Sequence, residues 1–261
     1  MTDARPAGQN AAMTQTPPPP QGCSPSLSDW PWPSDANGLS LHRCQFDPTR
    51  LDGSDFARLG ISAIPGAAKR QMEYLAGRYC AAAALRSFDC LAVPERGADR
   101  APLWPAGFCG SISHSHGVAL AVVGRQPAWR SLGLDLEARL SEERAKRLCA
   151  EILTAAEQQR LQALPGDAQA TRVSLTFSLK ESLFKALYPL TGVRFYFQDA
   201  TPLTGVRFYF QDAELLMADQ GMAQLRLLKS LSAEWTAGRE LPARHAEIDG
   251  QLLSLVAVAA E

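Results

Sequence analysis

Apolar and polar positions change period several times along the chain, and each change marks an element. Leu39, Leu41 and the stretch through Phe46 alternate with the two-residue period of a strand. Beyond Pro65, Met72, Leu75, Tyr79, Ala82 and Leu85 to Phe88 recur at three and four residues. This spacing predicts an Ala-rich helix whose polar face carries Lys69, Arg70, Glu73 and Arg78. Pro102, Pro105 and Gly107 make an irregular approach to Gly110-Ser-Ile-Ser-His-Ser-His-Gly117, read as a loop, before Val118 to Val123 reads as a buried strand. A second strand, Leu132 to Glu137, follows a turn around Gln126-Pro127. Ser141 then caps a helix to about Leu153, and Thr154-Ala-Ala-Glu157 matches a capping box for a helix stopped by Pro165-Gly166. Thr176 to Leu187 reads as a third helix ended by Pro189, and Ala223 to Leu228 and Leu252 to Val258 supply further strands.

Helices and mixed strands in this order argue for an α+β protein with two lobes joined near Pro127 to Ser131. The domain reading is a disordered Pro-rich arm over residues 1–36, an N-terminal lobe over 37–129 and a C-terminal lobe over 130–261. The arm holds Pro17 to Pro20 in a row among small polar residues, a composition that buries too little apolar surface to offset its ordering entropy. Residues 189–213 contain a tandem duplication. Pro189-Leu-Thr-Gly-Val-Arg-Phe-Tyr-Phe-Gln-Asp-Ala200 recurs unchanged as Pro202 to Ala213, thirteen residues later. Each copy holds a strand-like Val-Arg-Phe-Tyr-Phe, so one copy is expected in the native slot while the other loops out or adds an edge strand. Loop-closure entropy rises slowly enough with length to tolerate this.

Composition narrows the function. With 46% hydrophobic and 20% charged residues among 261, the chain can bury a core. A formal charge of -1 offers no overall field for polyanions, so nucleic acid is not expected as a partner, though a local basic pocket for a phosphorylated ligand is compatible. No apolar run approaches the ~20 residues of a membrane span, and no secretory signal opens the chain, so the protein is expected in the cytoplasm. Six cysteines without a C-x-x-C pair read as small buried hydrophobes.

Asp135 and Glu137 are two apart on a predicted strand, so both carboxylates leave one face while Leu134 and Leu136 point to the other. Adjacent carboxylates raise one another's pKa unless a cation lies between them, and oxygen ligands suit magnesium. An isolated D-x-E is equally a polar outer strand face. Ser178, Glu181 and Lys185 line up on one face of the later helix. They read either as a capping box and a surface ion pair, or as a third carboxylate or base and a lysine set against phosphate charge. His114 and His116 lack partners for zinc. The Ser-Ile-Ser-His segment can instead offer hydroxyls, amides and an imidazole to a phosphate. Arg70, Arg78 and Arg100 carry guanidinium forks that match phosphate oxygens.

Three motifs occur in a fixed order: Gly110-Ser-Ile-Ser-His114, Gly133-Leu-Asp-Leu-Glu137 and Phe177-Ser-Leu-Lys-Glu-Ser-Leu-Phe-Lys185. Together with Arg70 to Leu85, Pro102-Leu-Trp-Pro105 and Ala233-Glu-Trp235, the set resembles the Sfp-type 4'-phosphopantetheinyl transferases. It is most similar to the enterobactin synthetase component D branch and, within it, to the pseudomonad carrier protein synthases. The resemblance implies two pseudo-symmetric α/β lobes with coenzyme A in the cleft between them, acting as a monomer. It implies magnesium held by Asp135, Glu137 and Glu181, with Lys185 on the pyrophosphate, and Ser113 and His114 at the adenosine 3'-phosphate. Arg70, Arg78 and Arg100 match basic positions around the coenzyme. The implied reaction moves phosphopantetheine from coenzyme A to a serine of apo acyl or peptidyl carrier proteins, releasing adenosine 3',5'-bisphosphate. The resemblance also implies that Glu181, directly or through a metal-bound water, takes the serine proton. Rival readings are another magnesium-dependent phosphoryl transferase or phosphodiesterase, and a carrier-binding module whose cleft the duplication spoils.

Overall fold

The structure is a computed structural model that describes residues 18–33, 36–194 and 208–260. In chain order the elements are β1 (Leu27–Ser28), β2 (Leu39–Gln45), α1 (Ser54–Leu59), α2 (Ala68–Arg86), β3 (Glu95–Arg96), β4 (Pro102–Leu103), β5 (Phe108–Ser115) and β6 (Val118–Arg125). There follow β7 (Trp129–Ala138), α3 (Glu142–Ile152), α4 (Ala155–Gln162), α5 (Gly166–Thr191), β8 (Ala213–Asp219), β9 (Met222–Leu227), β10 (Glu240–Ile248) and β11 (Gln251–Ala259).

The fold is α+β with two antiparallel sheets, ordered β1-β2-β6-β5 and β7-β11-β10-β9-β8, and a small β3-β4 hairpin. The alanines of α2 let its axis lie close to the first sheet, where Met72, Leu75, Tyr79 and Cys80 are buried. The second sheet is covered by α5, with Leu179, Leu183 and Leu187 packed on Leu225, Leu252 and Val256. Edge strands β5 and β7 face each other between the sheets. Their contact is made by serine hydroxyls: Ser111 Oγ accepts the Leu134 amide at 2.9 Å and Ser113 Oγ accepts the Leu136 amide at 3.1 Å. Two edges that would otherwise bury unpaired amides are thereby satisfied.

Four expectations are corrected. Gly110 to Ser115 is no loop but most of β5, in register with β6; alternate residues Ser111 and Ser113 turn inward, which a strand achieves and a loop does not. Helix α5 starts ten residues before Thr176 and passes through Pro189 to end at Thr191. Proline this near the end disturbs only the last turn, and Gly192 closes the helix at φ 66. Because Ser178 is inside α5, it forms no capping box; its hydroxyl meets Ser254 Oγ of β11 at 2.8 Å. The distal part of the arm is also ordered. Gln21 donates its amide to Asp55 Oδ2, Ser26 its amide to the Tyr79 hydroxyl, and Trp32 its indole N–H to the His245 carbonyl. Two tryptophans and backbone partners outweigh the entropy that the prolines suggested would win. The arm before Pro18 lies outside the described residues.

Of the duplication, the described residues are Pro189–Arg194 and Phe208–Ala213, which together spell one copy. The Phe208 amide donates to the Arg194 carbonyl at 3.2 Å, so the two halves meet where a single copy would be continuous. Phe210–Asp212 forms a 3-10 turn leading into β8 rather than a strand, and the first copy's Phe-Tyr-Phe lies outside the described residues. Deleting Thr201 to Ala213 leaves one intact copy. The deletion protein is expected to fold with a thermal midpoint and activity equal to or above those of the full chain; a protein that fails to fold would place the redundancy elsewhere.

Candidate active site

Strand β7 and helix α5 bring the acidic residues together. Gly133 makes this approach feasible: a Cβ there would sit 1.9 Å from the Ser182 carbonyl oxygen and 2.5 Å from the Ala186 amide nitrogen. With hydrogen in that place, α5 lies against β7 and faces its lysine and glutamate toward the strand's carboxylates. Asp135 is buried, as are Leu134 and Leu136 on the opposite face. Asp135 Oδ1 accepts from Lys185 Nζ at 2.6 Å and from Ser113 Oγ at 3.2 Å, and Lys185 Nζ stands 3.3 Å from the same hydroxyl.

Glu137 and Glu181 complete the cluster. Burial pushes the Glu137 carboxyl up to about 7, and the neighbouring Asp135 charge adds to it. Burial also pushes Glu181 up to about 7, with Lys185 opposing and Asp135 reinforcing the shift. Although burial works against its charge, Lys185 is raised above the usual lysine range by Asp135, Glu181 and Glu137. Three carboxylates thus surround a single ammonium. Among the described residues no group of three His, Cys, Asp or Glu side chains stands ready to ligate a metal; Lys185 holds the inner oxygen of Asp135. The other oxygen, Asp135 Oδ2, is buried without a hydrogen-bond partner. An orphaned buried carboxylate oxygen beside two carboxyls driven toward neutrality is the electrostatic signature of a site suited to another cation.

A cavity of about 200 Å³ adjoins this cluster, lined by Arg70, Glu73, Tyr74, Arg78, Arg96, Arg100 and His114 among others. Arg78 stacks 4.6 Å over the Tyr74 ring and donates to the Glu95 carbonyl at 3.4 Å. His114 Nδ1 lies 3.8 Å from Glu73 Oε1. Burial lowers the His114 pKa, with Glu73 opposing and Lys185 reinforcing that shift; His114 lines the cavity and directly follows Ser113 of the acidic cluster. The structure therefore gathers Arg70, Arg78, Arg100 and His114 at one cavity. Ser113 is elsewhere, among the carboxylates. Sequence reasoning did not single out Arg96, which lies in a short hairpin with no periodic signal, or Tyr74, whose only mark was its place one turn before Arg78.

Two family models match the chain: the 4'-phosphopantetheinyl transferase N-terminal domain over residues 63–124 and the 4'-phosphopantetheinyl transferase superfamily over 131–246. Enterobactin synthase component D of Escherichia coli (strain K12) is 44% identical over 151 residues, covering 57% of this chain and 71% of the relative. The chain belongs to the 4'-phosphopantetheinyl transferase superfamily. The transferase Svp of Streptomyces mobaraensis is 32% identical over 218 residues, 82% of this chain and 81% of its own. PptT of Mycobacterium tuberculosis is 36% identical over 137 residues, 51% of this chain and 58% of that one. As a phosphopantetheinyl transferase of the component D branch, the chain is an enzyme that uses coenzyme A as its substrate. The adjacent Lys180 and Glu181 of α5 divide their tasks, and Lys180 is structural. Lys180, one residue before Glu181, is fully buried, and its Nζ donates to Glu157 Oε2 at 2.7 Å and to the Ile152 carbonyl at 2.8 Å. Glu157 also accepts the Thr154 and Leu215 amides, tying α4 and β8 to α5. Glu157→Gln strands the buried ammonium and is expected to cost about 3–5 kcal/mol, read as a lowered denaturation midpoint; an unchanged midpoint would remove this role.

Proposed function

We propose that this transferase moves the 4'-phosphopantetheine group of coenzyme A to a serine hydroxyl of apo acyl or peptidyl carrier proteins, releasing adenosine 3',5'-bisphosphate. The observation carrying the reading is the acidic cluster of Asp135, Glu137 and Glu181 around Lys185, beside a cavity with four arginines. In this reading Arg70, Arg78, Arg100 and Arg96 hold the coenzyme's phosphates by charge-assisted hydrogen bonds, and His114 joins them at the cluster's edge. Asp135, Glu137 and Glu181 would hold magnesium, which fits their oxygen donors and the orphaned Asp135 oxygen. When bound, the ion supplies neutralisation of the charge that grows on the pyrophosphate.

Glu181 is the base. Its raised pKa sets it near neutrality, where a carboxylate accepts a serine proton with usable driving force. Lys185 stabilises charge on the phosphoryl oxygens, and Ser113 holds the lysine and Asp135 in place. The catalytic residues are thus Glu181, Lys185 and Asp135. In domain terms, 37–129 contributes the coenzyme contacts and 130–261 the acidic cluster. We further propose a cytoplasmic monomer; no described helix is long and apolar enough to cross a membrane.

The test is to incubate the enzyme with coenzyme A, magnesium and an apo carrier protein and to weigh the carrier intact. A gain of one phosphopantetheine per carrier supports the reading. Coenzyme cleavage without carrier modification would overturn it in favour of a phosphodiesterase, and carrier binding without chemistry in favour of a binding module.

A further inference from the structure

The hairpin bearing two of the cavity's cations is held from the opposite lobe. Strands β3 and β4 form a sheet separate from the two larger ones. Within their turn Arg100 N–H donates to the Gly97 carbonyl and Gly97 N–H to the Ala101 carbonyl. Asp99 serves both sides of this turn. Its Oδ1 accepts the Ala101 amide at 3.0 Å, and its Oδ2 accepts the Tyr188 hydroxyl of α5 at 2.7 Å. Arg100 follows at φ 76, a left-handed backbone that a non-glycine residue keeps only where its surroundings fix it. Tyr188 comes three residues after Lys185 and seven after Glu181, so the three share a helix face. One face of α5 therefore presents the base, the phosphate lysine and a contact to the basic hairpin.

We propose that Tyr188 is a positioning residue that, through Asp99, holds the β3–β4 hairpin so that Arg96 and Arg100 converge on the coenzyme's phosphates. The inference rests on the coenzyme A reading of that cavity. The hydrogen bond to Asp99 raises the Tyr188 pKa and the same bond lowers that of Asp99, as a committed donor and acceptor require. The contact lies at the solvent edge, so its loss alters ligand capture far more than global stability. Lys185 and Glu181 keep their own partners, so the chemical step is left alone.

Coenzyme A binding is measured by isothermal titration calorimetry on the full chain without carrier, alongside kinetics with apo carrier. Tyr188→Phe is expected to weaken coenzyme affinity about three- to tenfold, the net worth of one ordinary solvent-edge hydrogen bond. KM for coenzyme A rises by a similar factor, while kcat, KM for carrier and the thermal midpoint hold. Arg100→Ala should weaken binding less in the Tyr188→Phe background than in the wild type, because an unheld hairpin no longer aims that guanidinium. Unchanged affinity in Tyr188→Phe, a loss confined to kcat, or independent effects of the two substitutions would overturn the tether. No coenzyme binding by the wild type would overturn the coenzyme reading itself and the tether with it.

Discussion

Glu181→Gln is expected to slow carrier modification by about two to four orders of magnitude, the range for loss of a positioned base. Glutamine keeps the volume and the helix face but cannot take the serine proton or hold a divalent cation with full charge. Asp135→Ala is expected to abolish transfer as well, for a second reason: it removes the oxygen that Lys185 Nζ contacts at 2.6 Å, leaving that ammonium to Ser113, Glu137 and Glu181. In both variants α5 retains its apolar face on the second sheet, so circular dichroism should match the wild type. The carrier's mass, followed over time, is the readout. Near-normal turnover in either variant would refute the assignment of these side chains.

Gly133→Ala should do comparable damage by adding a single methyl group. The new carbon would lie 1.9 Å from the Ser182 carbonyl oxygen and meet the Ala186 amide at 2.5 Å, both backbone atoms of α5. No side-chain rotamer can relieve that contact, so helix and strand must separate. Separation withdraws Lys185 and Glu181 from Asp135 and breaks the pairing of Ser182 Oγ with Ser254. Overpacking of a core typically costs 1–3 kcal/mol, and a backbone clash this close should reach at least the upper end, about 3 kcal/mol. Even the fraction that folds should transfer poorly, since displacement by an ångström suffices to lose reactive geometry. A Gly133→Ala enzyme with wild-type stability and rate would show that the helix and strand do not need this close approach.

All three variants act on motifs that are legible in the chain. Two-residue spacing sends Asp135 and Glu137 to one face of a strand whatever follows, and the four-residue spacing of Glu181 and Lys185 gives them one helix face. Capping residues marked the starts of α3 and α4, where Ser141 and Thr154 bind the amides of Arg144 and Glu157. Local patterning was less informative where tertiary partners replaced local ones. Pro-rich composition pointed to a disordered arm, yet the buried Trp32 donates its indole N–H to the His245 carbonyl of β10, and the Gln21 and Ser26 amides find partners at Asp55 and Tyr79. Glycines flanking Ser-Ile-Ser-His suggested a loop, yet Ser111 and Ser113 serve as acceptors for an edge strand that the local sequence does not include.

Periodicity and motif order by themselves determined which faces carry acids and bases, and the family resemblance rested on those same residues. What only the tertiary structure decided is which faces meet: that Ser113 sits with the carboxylates rather than in the basic cavity, that Arg96 joins the other arginines, and that Tyr188 reaches Asp99 across 89 positions of chain. The physical reason is range. Side-chain direction within an element follows from backbone geometry over a few residues, whereas contact between elements depends on how their buried surfaces pack, and no local stretch contains both partners.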